Sequence, residues 1–153
     1  MLPARFQQFA LEVLDKAPDI QLVAPWDRGD HTTGLHVTFT TGAQVWFGVT
    51  TASPPGAKGD EDPVVTGTPP ATVDYPPLYQ DGKVSPERAQ DYLAAAAANS
   101  GHPEVASAYG YSPENQHPGF GVVFHSGARV HCLFHHTARA GQGAGGRELQ
   151  AAF

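Results

Sequence analysis

Eight histidines, one cysteine and three His-x-Thr triplets are the residues of this chain best suited to chemistry. The triplets are His31-Thr32-Thr33, His36-Val37-Thr38 and His135-His136-Thr137. An imidazole can move a proton at neutral pH, and a neighbouring hydroxyl can hold an oxyanion. His131 and His135 also have a spacing that brings two ligands to one zinc ion on a helix. Alternation of apolar residues puts them on a strand, where four residues span about 13 Å. Zinc takes its ligands near ~2 Å, so this pair needs help from His36, His125 or His136. No metal site and no cofactor is expected. Cys132 falls on an inward strand position, as a buried thiol outside any disulfide framework. No phosphate-cradling glycine loop joins a strand to a helix, and no paired carboxylates sit at strand ends.

Two hairpins must position these groups, and they read as one pattern written twice. Gly34-Leu-His-Val-Thr-Phe-Thr-Thr-Gly-Ala-Gln-Val45 and Gly119-Phe-Gly-Val-Val-Phe-His-Ser-Gly-Ala-Arg-Val130 share Gly, Val, Phe, Gly, Ala and Val at fixed places. A three-residue loop ending in Gly42 or Gly127 makes one face of each hairpin wholly apolar. The inner face then carries Leu35, Val37, Phe39, Val45 and Phe47, and in the second hairpin Phe120, Val122, Phe124, Val130, Cys132 and Phe134. The outer face carries His36, Thr38, Gln44, Trp46, Arg129, His131, Leu133 and His135. Convergence on good hairpin chemistry and duplication of a unit both account for the likeness.

Helices must cover the inner face. Phe6, Phe9, Ala10, Val13, Leu14 and Ala17 form one stripe over 3–17, with Pro3 in the first turn and Pro18 as the stop. Ser85 and Pro86 start a second helix, and an alanine run carries it to 99. A short strand is expected at 19–25 and a turn of helix at 103–109. The fold class is α+β: an antiparallel sheet of about five strands, order α-β-β-β-α-β-β, helices on one face. Residues 1–140 form one domain. A Pro-rich loop at 53–82 holds seven of the fourteen prolines, and 141–153 is a flexible Gly-rich tail.

The chain has a net charge of −6, unevenly spread. Residues 1–115 hold 14 acids and 6 Lys/Arg, whereas 116–153 hold Glu148 alone against Arg129, Arg139, Arg147 and five histidines. Such a surface suits an anionic ligand or an acidic protein. It is too poor in cations for strong nucleic-acid binding. No apolar run spans a bilayer and no export signal opens the chain, so a soluble cytoplasmic protein is expected. Scarce Lys and abundant Ala, Gly and Pro resemble high-GC bacterial proteins.

His36-Val37-Thr38 and His135-His136-Thr137 are similar to the signature of the two-histidine phosphoesterases. That resemblance implies a metal-free enzyme acting on a phosphodiester, with His36, Thr38, His135 and Thr137 catalytic. The chain departs from the pattern after Thr38, where it turns back in a hairpin. In topology alone the element order resembles the dimeric chaperones of bacterial secretion systems. Pro76-Pro77-Leu78-Tyr79 looks like a WW-domain ligand, although packing of Tyr75, Leu78 and Tyr79 onto the body is expected instead. Arg28-Gly29-Asp30 resembles cell-adhesion ligands, as a chance match. The residues themselves favour a non-enzymatic binding or accessory protein, chaperone-, immunity- or regulator-like. It would meet a protein partner, a second copy included, through Trp46, Arg129, His131 and His135. A nucleic-acid-linked regulator is the third reading and needs Arg129, Arg139 and Arg147 in one patch.

Overall fold

The computed structural model describes residues 1–27, 33–58, 61–144 and 149–153. The Arg28-Gly29-Asp30 triplet, His31 and Arg147 lie outside the described residues. Both hairpins close through the expected loop. Phe39 N–H donates to Ala43 O and Gly42 N–H to Phe39 O, with Gly42 at φ 89°. Phe124, Ala128 and Gly127 repeat these bonds, with Gly127 at φ 91°. Only glycine adopts that backbone without strain.

Among the described residues six strands and two α-helices result. They are α1 (Pro3–Val13), β1 (Ile20–Asp27), β2 (Thr33–Phe39), β3 (Gln44–Ala52), α2 (Pro86–Ala98), β4 (Val105–Gly110), β5 (Gly119–Phe124) and β6 (Arg129–Ala138). They make one antiparallel sheet in the order β1-β2-β3-β6-β5-β4. The strand count is six rather than five, because 105–110 pairs with β5 and is not a helical turn. Ala and Ser between Val105 and Tyr109 give weak local preference, and cross-strand pairing decides such cases.

The likeness of the hairpins extends to β1 and β4 and to both helices. Ile20↔Phe39 recurs as Val105↔Phe124, and Leu35↔Phe47 as Phe120↔Cys132, a shift of 85 at each position. The register irregularity between Ile20 and Leu22 recurs between Val105 and Ser107. Thr40 N–H donates to Asp19 O, and His125 N–H to Glu104 O. Pro3-Ala-Arg-Phe-Gln7 in α1 answers to Pro86-Glu-Arg-Ala-Gln90 in α2. Gln7 Nε2 donates to Gly34 O, and Gln90 Oε1 accepts from Gly119 N–H. Shared bulges and side-chain bonds do not follow from hairpin chemistry alone. The chain is two α-β-β-β units in tandem, joined where β3 meets β6. Phe47↔Phe134 and Val49↔Cys132 exchange under the 85-residue shift, so a pseudo-twofold axis passes at Gly48↔Leu133.

All the inner-face residues named above are buried. α1 packs on β1, β2 and β3, and α2 on β4 and β5. Ser85 Oγ caps α2 by accepting from Arg88 N–H. Ala94 to Ala98 are all buried, because small side chains let the sheet and the Pro-rich segment approach α2 together.

The described part of 53–82 has no helix or strand beyond a single Gln80↔Lys83 bridge, yet it is anchored along its length. Val73 exchanges two bonds with the Asn99 amide. Tyr75 stacks on Tyr92 at 4.9 Å, and Leu78 is buried. Burial pushes the Tyr92 hydroxyl up to about 12. The Pro-Pro-Leu-Tyr string is therefore engaged internally. Asp62 accepts from Arg5 Nε at 2.8 Å and Nη2 at 2.9 Å, while Arg5 Nη1 reaches Glu104 at 2.7 Å. The Arg5 guanidinium holds the Asp62 carboxyl well below the usual carboxylate range. Its stabilising contribution is thus complete above the ordinary Asp value and is lost as pH falls below it. Asp62→Asn should flatten the acid limb of a stability-versus-pH curve as pH falls below about 4. The contribution is on the order of 1 kcal/mol, since water reaches Arg5. Parallel acid limbs for the two proteins would remove Asp62 from the acid response.

The tail is not free throughout. Phe153 is buried and exchanges two backbone bonds with Val84, and Gln150 N–H donates to Thr137 Oγ1. At 149–153 an apolar terminus finds an apolar site.

Candidate functional site

Both helices lie on the inner face, so the chemistry-bearing side chains gather on the other. One register row crosses the whole sheet there: Trp26, Gly34, Gly48, Leu133, Gly119 and then Tyr111. The two ends are equivalent under the internal repeat. Each aromatic ring lies over its neighbouring glycine. A Cβ on Gly34 would meet Trp26 Cε3 at 2.8 Å, and one on Gly119 would meet Tyr111 Cε2 at 2.9 Å. Trp26 reaches His135 and His136 of β6, at 5.8 and 5.6 Å between ring centroids, across the glycine floor.

The first unit closes its own half of this face. His36 stacks on Trp46 at 4.2 Å and 6°. His36 Nε2–H donates to Gln44 Oε1 at 2.9 Å. Burial holds His36 below its ordinary value, with the Gln44 bond partly offsetting this. Trp46 is on the outer face as expected, but only 6 % exposed. The His36 and His136 rings lie against it.

The second unit is more open. Gly121 stands where the first has His36, and His131 where it has Trp46. Arg129 is exposed, and His131 and Leu133 are half-buried. Tyr111 Oη and His131 Nδ1 are hydrogen-bonded at 3.2 Å. Burial pushes the Tyr111 phenol well above its ordinary value. A hollow of about 450 Å³ opens over Leu133, lined by His117, Phe134, His135 and Leu149. A second, of about 240 Å³, shares His117 and Leu133 and adds Tyr111, Asn115 and Gln116. Tyr111, His117 and Leu149 escaped the sequence reading. A hint existed for Tyr111, since Tyr111 and Gly119 repeat Trp26 and Gly34.

The His-x-Thr pairs are not assembled alike. Trp46 pairs with His136 and Phe47 with Phe134, so His135 is the extra residue of a bulge. The bulge reverses the alternation beyond it. Thr137 comes opposite Val45, fully buried, with its hydroxyl taken by Gln150 N–H. Thr38 stays on the outer face beside the occupied His36. The hydroxyls of Thr38 and Thr137 therefore face opposite sides of the sheet, and no cleft holds both His-Thr pairs. Arg129 opens the ten-residue β6 and Arg139 follows its last residue, about 30 Å away, so these two do not share a patch. Among the described residues no group of three His, Cys, Asp or Glu is placed to hold a metal ion. Cys132 is fully buried, and burial pushes its thiol well up. No described helix is long and apolar enough to cross a membrane.

The outer positions of the six strands contain no Asp or Glu among the described residues. They carry Arg129, four histidines, two tryptophans and two tyrosines, counting His136 and Tyr111. No protein-family model matches the chain, and no curated protein or solved structure matches it significantly.

Proposed function

We propose that this protein is a small non-enzymatic binding or accessory protein of the bacterial cytoplasm. It acts through protein–protein contact at the outer sheet face of its second α-β-β-β unit. The observation that carries this is the hollow beside Leu133, an outer-face residue of β6, which His117 and His135 also line. An apolar floor ringed by polar and aromatic side chains is the composition of an interface centre. Arg129, His131 and His135 are the contact residues, with Leu133 as the floor. Trp46 offers a partner little surface, since little of it reaches solvent.

A photo-crosslinking amino acid placed at residue 129 or 133 of the full chain tests this in the cells that make the protein. A discrete protein adduct is expected from both positions. The same group at Val64, which is 65 % exposed on the Pro-rich segment, should give none. Equal adducts from all three, or adducts from Val64 alone, would move the interface off this face.

A further inference from the structure

We infer that the edge of β4 takes up an extended segment of a partner protein as one more strand, with a lysine or arginine of that segment beside Asp91. This surface is the end of the sheet, apart from the outer-face contact proposed above, and does not depend on it. β4 closes the strand order on its side. Tyr111 N–H donates to Gly119 O. The alternation of an antiparallel ladder therefore turns the N–H and C=O groups of Tyr109 toward β5, and those of Ala108 and Gly110 away from it. Edge strands are ordinarily blunted by proline or by charge. The internal repeat places Gly110, opposite Phe120, where β1 has Pro25, opposite Leu35. Pro25 offers no N–H, and Asp27 ends that strand with a charge. Val105–Gly110 contains neither a proline nor a charged residue. Both edges share the register irregularity near their first residues, so it does not account for the difference.

A groove of about 370 Å³ lies between β4 and α2. Ala94, Ala95 and Ala98 of α2 line it, with Val73 from the Pro-rich segment. Its charged lining is Asp74 and Asp91, and no Lys, Arg or His lines it. A Cβ on Gly110 would collide with the Asp91 carboxylate, so that charge stands against the open edge itself. These charges select the occupant. A second copy pairing its own Gly110 with Ala108 would bring two Asp91 carboxylates near one another, and an acidic segment would meet the same repulsion. A segment with a lysine or arginine at that place gains instead. In such strand addition the backbone bonds supply affinity, and the pockets for alternate side chains supply specificity.

Fluorescence anisotropy of the full chain with labelled synthetic peptides tests this. The peptides share one length and a Thr-Val alternation, and carry Lys, Ser or Glu at one central position. The Lys peptide should bind at least about five-fold tighter than the Glu peptide, with the Ser peptide between them. N-methylation of its central amides should abolish binding. Asp91→Lys should remove the preference for Lys, and Asp91 is exposed, so its substitution leaves folding intact. Ala108→Pro removes an outward N–H at an edge, where proline is tolerated, and should weaken all three peptides at least about ten-fold. No peptide binding, binding indifferent to N-methylation, or a Lys preference that survives Asp91→Lys would each overturn the inference. A full-chain dimer in sedimentation that Ala108→Pro converts to monomer would assign the edge to a second copy and overturn it as well.

Discussion

Phe47→Ala should cost about 4 kcal/mol of folding stability, the largest loss of any single truncation in the sheet. Phe47 is fully buried, 5.3 Å from Phe120 and 6.2 Å from Phe134 between ring centroids. It stands beside the β3–β6 seam, so its ring belongs to the cores of both units. Removing it empties space that neither helix can reclaim without leaving its own half of the sheet. Typical domains are stable by about 5–15 kcal/mol, so the variant should be near the limit of folding at ambient temperature. Urea unfolding monitored by circular dichroism gives the comparison. Leu22→Ala, on the outer side of an edge strand and 55 % exposed, should change stability by less than about 0.5 kcal/mol. A Phe47→Ala loss no greater than the Leu22→Ala loss would show that the two units fold without a common core.

Gly119→Ala should be nearly as damaging, at about 3 kcal/mol, although it adds only a methyl group. The new Cβ would collide with Cys132 O, a backbone atom of the neighbouring strand, and fall 2.9 Å from the Tyr111 ring. The carbonyl cannot retreat without opening the β5–β6 ladder. Gly119 N–H is also held by Gln90 at 2.9 Å, which ties the strand to α2. Gly34→Ala at the equivalent place should cost less, about 1–2 kcal/mol. There the nearest atom is Trp26 Cε3, and Phe47 O is 3.0 Å away. A side chain can turn aside where a ladder cannot. The same urea experiment reads both. Equal losses, or a milder Gly119→Ala, would mean that the strands adjust more freely than their bonds indicate.

The parts of the fold set by period and turn chemistry were legible in the sequence. Gly42 and Gly127 dictate the loops, and alternation then places every inner-face residue from Leu35 to Phe134. The sixth strand was not legible, because its Ala-Ser-Ala centre gains its conformation from β5. Neither was the bulge at His135. Nothing in Phe-His-His-Thr marks an extra residue, yet that one residue turns Thr137 inward and parts it from the solvent side of the sheet. The repeat was visible in the hairpins and hidden in the helices, where Pro-x-Arg-x-Gln is short and the spacing shifts by two. Trp46 was placed on the correct face, but its burial depends on ring stacking between strands. The attachments of the Pro-rich segment, such as Asp62 to Arg5, join residues far apart in sequence and leave no local trace.

The tandem construction frees the molecule from a rule that binds true homodimers. When two identical chains meet across a twofold axis, any residue that suits one side must be accepted on the other. Here the seam lies within one chain, and the 53–82 segment is the tether that keeps the halves together at any dilution. Each half has consequently specialised alone. Position 46 is a tryptophan sealed beneath an imidazole while its counterpart 131 is a half-buried histidine bonded to Tyr111, and Gly48 meets Leu133 on the axis itself. The two halves therefore differ on their outer faces, an asymmetry that identical chains related by a twofold axis cannot have.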